Sequence, residues 1–184
     1  MSLRTLATAL TTLTAAATVT LAAQSSPQAP GAAEKPLPAA ALEPLLPAPQ
    51  GWTRIKAGGN QVTVSESCGY SFADATYTKD GMKVRLTLAD TGRNEEGLSV
   101  VATMVVSLPE NYVGDVPPAT TVARLSVRGQ PAASRWDDKN KEGEFTVLVN
   151  GRFVAKAEGT NLNSLATLRA IVELVDLTRL GQLK

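Results

Sequence analysis

The chain has 184 residues, 18 Lys and Arg against 17 Asp and Glu, a formal charge of +1, and no histidine. Its charges are interspersed and nearly balanced, which excludes an electrostatic footprint for nucleic acid or an anionic membrane surface. Without histidine, Ser-His-Asp and Cys-His catalysis and most transition-metal sites are excluded, and any acid-base chemistry falls to carboxylates, Lys or Tyr.

Residues 1–23 read as a cleavable signal peptide: Arg4 supplies the positive start, and Leu6 to Leu21 is an uncharged run of Ala, Leu, Thr and Val. The small residues Ala22 and Ala23 offer the cut. The run is barely as long as the roughly 20 apolar residues of a spanning helix, so no stable membrane insertion is expected once it is removed. The single cysteine, Cys68, lies far from the cut and cannot carry a lipid anchor there. No Asn-x-Ser/Thr sequon and no twin arginine occur, which points to a bacterial periplasm or exterior reached by the general secretory route. In that oxidising compartment one cysteine forms no internal disulfide, so the apolar core must hold the fold alone.

Residues 24–50 form a Pro/Ala-rich linker with Pro27, Pro30, Pro36, Pro38, Pro44, Pro47 and Pro49, a density that blocks helix and sheet ladders. Its apolar end, Leu42, Leu45 and Leu46, is able to dock as a short turn on the single domain expected over 51–184. In that domain, strands are predicted over Tyr70–Thr78 and Met82–Asp90, the second with Val84, Leu86 and Leu88 opposite Lys83, Arg85 and Thr87. Glu95–Leu108 carries Leu98, Val101, Ala102, Val105 and Leu108 at helical spacing with acids at its start. Thr120–Val127 pairs with Pro131–Trp136, and Glu144–Val149 with Arg152–Glu158 across Asn150-Gly151, a type I′ hairpin signal. A final helix capped at Asn163 or Ser164 sets Leu165, Leu168, Ile171, Val172, Val175 and Leu180 on one stripe. The expected class is α+β: a mainly antiparallel sheet built from hairpins and packed with two amphipathic helices.

Cys68 is read either as a reactive or intermolecular thiol or as a small buried apolar residue. The mid-strand Asp74, with Tyr77 and Asp90, supplies the ligand-site candidates, because two acids in unlike environments divide acid and base roles. Glu173 and Asp176, one helical turn apart, fit the wet face of the last helix. Lys83, Arg85, Arg124 and Arg128 form a basic strip if their strands share a face, without the aromatics that stack bases. Asp138 to Gly143 imitates half a calcium loop, but the twelfth position is Val149 and lysines separate the donors. No cofactor or metal is expected.

Gly51-Trp52 after the Pro-rich segment, Ala73-Asp74-Ala75-Thr76-Tyr77 in a strand, and Gly151-Arg152-Phe153-Val154 with Gly159 before the final helix resemble small exported bacterial domains of unknown function. Their layout is similar to the Mog1/PsbP-like α/β/α sandwich over roughly Gly51 to Leu183. The resemblance implies a non-enzymatic binding or assembly role and carries over no functional residue. The expected function is therefore a secreted or periplasmic module that binds a protein or small ligand. The rivals are a carrier of an apolar ligand between sheet and helices, and a histidine-independent enzyme using carboxylates with Tyr or Lys.

Overall fold

In chain order, the computed structural model, which describes residues 34–63, 69–93 and 120–184, contains α1 (Ala39–Leu42), a 3₁₀ turn (Glu43–Leu45), β1 (Thr53–Thr63), β2 (Gly69–Lys79), β3 (Met82–Asp90), β4 (Thr120–Val127), β5 (Gln130–Asp137), β6 (Glu142–Val149), β7 (Phe153–Thr160), α2 (Leu165–Glu173) and α3 (Leu177–Gly181). Cys68 and the helix expected over Glu95–Leu108 lie outside the described residues. The strands form one antiparallel sheet in the order β1-β2-β3-β7-β6-β5-β4. With a few short helices added, this is an α+β arrangement.

Three tight turns set the hairpins. Asp80-Gly81, Arg128-Gly129 and Asn150-Gly151 all have positive φ at both central positions, the type I′ geometry that matches strand twist. At the third, Arg152 N–H donates to Val149 O (3.1 Å), yet the ladder resumes with Val149 opposite Phe153. Arg152 is thus one residue more than the pairing needs, and such an insertion re-aims a side chain at a sheet end.

Alternation then divides the sheet into two faces. The first carries Ala73, Ala75, Tyr77, Val84, Leu86, Leu88, Phe145, Val147, Phe153 and Ala155, buried under the described helices. Leu168, Ile171 and Val172 of α2 pack on it, followed by Val175, Leu177 and Leu180. The C-terminal helix expected as one element is two, because Asp176 leaves helical geometry and its carboxylate caps Arg179 N–H (2.9 Å), starting α3.

The Pro-rich segment is bound from Glu34 onward. Leu42, Leu45 and Leu46 are buried in the main core, each worth about 1.5–3 kcal/mol by the area removed from water. Tyr77 Oη donates to Pro47 O (2.6 Å), and Arg54 donates to the Leu46 and Pro47 carbonyls. This strap crosses β2 and β1, where only glycine fits at 59, because a Cβ there would meet Ala39 Cβ at 2.8 Å.

At the strap's start lies a buried ion pair. Asp90 is fully buried and Arg152 is 4% exposed. Their contact is bidentate, Nε to Oδ1 and Nη2 to Oδ2, both 2.8 Å. Leu37 N–H and Gly92 N–H supply two more bonds to the same carboxylate, each 2.9 Å. Arg152 also bonds Glu34 and lies over the Phe153 ring at 4.9 Å. Asp90→Ala strands a buried guanidinium and should cost about 3–5 kcal/mol. Replacing Asp90 and Arg152 together by Leu and Met should cost clearly less than the two single changes summed, as chemical denaturation would measure.

Candidate functional site

The second face of the sheet carries no described helix and has two zones. Near the β3 end, Ala89, Ala133, Leu148 and Val154 form a small buried cluster with Phe72 packed against it. Below it, charges run across five strands. Asp74 (β2) meets Arg85 (β3) at 3.3 Å, and Arg85 lies 3.9 Å from Glu158 (β7). Lys156 bridges Glu158 and Glu144 (β6), 3.1 Å to each, and Glu144 meets Arg135 (β5) at 3.5 Å.

Register explains this band. Arg85 pairs with Glu158, Glu158 with Glu144, and Glu144 with Arg135, so one side chain per strand falls in one row. Glu144 and Glu158 stand directly opposite each other, a like-charge pair that Lys156, two residues along β7, neutralises. Burial of the Lys156 ammonium works against its charge, but the two carboxylates outweigh it and its pKa is raised. It is a fixed cation, not a free amine nucleophile. Beside the band, Lys56, Thr76, Lys83, Glu142 and Thr160 complete a groove of about 560 Å³.

The sequence candidates do not meet in one place. Asp74 lies on the second face, within the band. Tyr77, three residues on, points to the opposite face, where burial raises its pKa and Arg54 works to lower it. Asp90 lies three ladder positions from the Asp74–Thr87 pair, also on the first face. All its hydrogen bonds are used in holding Arg152, Leu37 and Gly92. These three cannot act on one substrate atom.

The remaining motifs resolve into structure. Glu173 bonds Arg169 (2.8 Å) and Asp176 caps α3, so they are not an acid-base couple. Arg85 and Arg124 are separated by Glu158 and Glu144, so no continuous basic strip forms. The Asp138–Gly143 stretch is a hairpin turn: Asp137 accepts from Lys139 N–H, Asn140 N–H and Asn140 Nδ2, while Asp138 pairs with Lys141 at 2.8 Å. The Asn140 backbone bond, foremost, holds the Asp137 carboxyl below its usual range. Among the described residues no group of three or more acids, cysteines or histidines gathers as a metal site, and no helix is long and apolar enough to cross a membrane. Glu144, Glu158, Lys156 and Arg135 went unmarked in the sequence reading, because their only signal is cross-strand register.

Comparison with family models, with curated proteins and with solved structures finds no match to this chain.

Removing Lys156 tests the band. Lys156→Met should lower stability at pH 7 by about 1 kcal/mol, leaving two opposed carboxylates unbridged. Because the folded pKa of Lys156 is raised, its contribution is present below the ordinary lysine value of about 10.5 and lost as pH rises past the folded value. Melting curves of variant and parent should therefore separate near neutrality and converge at strongly alkaline pH.

Proposed function

We propose that the mature chain is a secreted or periplasmic, non-enzymatic binding module that presents the charged band of its second face to a protein partner. The observation carrying this reading is a sheet face with six alternating charges, of which Arg85, Arg135 and Glu158 are each more than 40% exposed in their side chains. Opposed signs on a rigid surface favour specificity and encounter rate over raw affinity. The first-face core, filled by side chains from both sheet and helices, gives less support to an apolar-ligand carrier. The enzyme reading is weakened by the separation of Asp74, Tyr77 and Asp90 across two faces.

The reading includes a second amphipathic helix over Glu95–Leu108. β3 and β4 run parallel, four strand positions apart, and their connection is a crossover. The Asp80-Gly81 turn makes Lys79 and Met82 a hydrogen-bonded pair, so Val84, Leu86 and Leu88 bond toward β2. For L-residues viewed from the first face with β3 upward, that sets β2 to the right and β4 to the left. A right-handed crossover then passes over the second face, where Phe72, Ala89, Leu148 and Val154 offer the stripe a place to bury.

A photocrosslinker at Thr87, beside the band, should capture in intact cells a protein other than this chain. The double reversal Arg85→Glu with Arg135→Glu should cut that capture at least tenfold. Capture that survives the reversal, or adducts of the chain with itself alone, would overturn the reading.

A further inference from the structure

Among the described residues the edge strand β1 pairs only with β2, and its 11 residues end one side of the sheet. Natural edges are normally guarded by charge, proline or a bulge. Here the guards cluster at one end: Arg54, Lys56 and the register shift between them, after which the ladder is regular from Lys56 to Thr63. Over 57–61 the sequence is Ala-Gly-Gly-Asn-Gln, with neither charge nor proline. The opposite edge, β4, carries Arg124 in mid-strand.

Hydrogen-bonding direction along β1 follows from the same Lys79–Met82 pair. On β2, Asp74 and Thr76 bond toward β1, so their partners Gly58 and Lys56 face inward. Ala57, Gly59 and Gln61 therefore turn their backbone groups outward. Gln61 N–H is held by Asn60 Oδ1 (2.8 Å), as befits a donor with no ladder partner. Gly58 has open space where a Cβ would lie, and glycine within a strand commonly marks close approach of another backbone.

We infer that β1 is a self-association edge, pairing antiparallel with β1 of a second copy in a two-fold centred on Gly59. That register sets Ala57 opposite Gln61 of the second chain and Gly58 opposite its Asn60. Charge favours a second copy: the cations of each strand lie to one side of the centre, so the two Lys56 residues stand about 20 Å apart at ~3.4 Å per residue. The shape of the edge agrees. Beside Ala57 and Gly58 the strap builds a recess of about 440 Å³ with Glu43, Pro44, Leu46 and Arg54. On that face the opposing Gln61 amide is a donor suited to the Glu43 carboxylate, which meets no cation among the described residues. The product is one continuous sheet with both charged bands on the same side.

Sedimentation of the mature protein, from Gln24 onward, should give twice the monomer mass at micromolar concentration. Ala57→Pro removes an outward N–H without touching the β2 ladder, and should yield a monomer with an unchanged circular dichroism spectrum. Ser126→Pro on the β4 edge should leave the dimer intact. An independent readout uses Cys68→Ser chains bearing either Gly58→Cys or Asn60→Cys: oxidised together they should form a covalent heterodimer, and neither alone should cross-link. A monomeric parent, a dimer that survives Ala57→Pro, dissociation by Ser126→Pro instead, or no heterodimer on mixing would each overturn the inference.

Discussion

The Asp90–Arg152 pair fastens together three parts of the chain at one buried point. Asp90 closes β3, Arg152 is the surplus residue of the β6–β7 turn, and Glu34 and Leu37 open the strap. Burying two charges is costly, and the cost is offset here only because nearly every donor and acceptor finds a partner. The carboxylate accepts four bonds, while Thr91 N–H and Oγ1 both reach Arg152 O at 3.2 and 2.8 Å. Such a pair adds little net stability over an apolar one. What it supplies is uniqueness, since a strap shifted by one residue would leave Asp90 and Arg152 buried with unmet bonds.

That constraint lets the two faces serve different ends. The first face is given to the core, closed by α2, α3 and the strap. The second holds its charges in register on the same strands, so the rigidity of the core fixes the spacing of Asp74, Arg85, Glu158, Glu144 and Arg135. Within the band each of these charges is answered by a neighbour, and Lys156 is held as a cation between Glu144 and Glu158.

The hairpins were legible because their signals are local. Met82–Asp90 and Thr120–Val127 have the bounds expected, and Asn150-Gly151 has the positive φ values its turn type needs. β1 was not legible: Ala57-Gly58-Gly59 breaks the apolar alternation, since glycine at 59 answers the strap above it and not a strand preference. Asp74 and Tyr77 are close in sequence, yet a spacing of three on one strand places them on opposite faces, and Asp90 on the adjacent strand falls on the Tyr77 face. The charged band was invisible for the converse reason, as its members are distant in sequence and only register joins them. The helix break at Asp176 was hidden by an apolar stripe that continues on both sides of it.

The strap also imposes an order on assembly. Glu34 and Arg152 are 118 positions apart, and synthesis runs from the N-terminus. Leu42, Leu45 and Leu46 thus emerge long before β7 and α2 exist to finish covering them, and the clasp that fixes them closes only after the Asn150-Gly151 turn has formed. Leu42, Leu45 and Leu46 therefore reach their full native cover only when β7 and the C-terminal helices are in place.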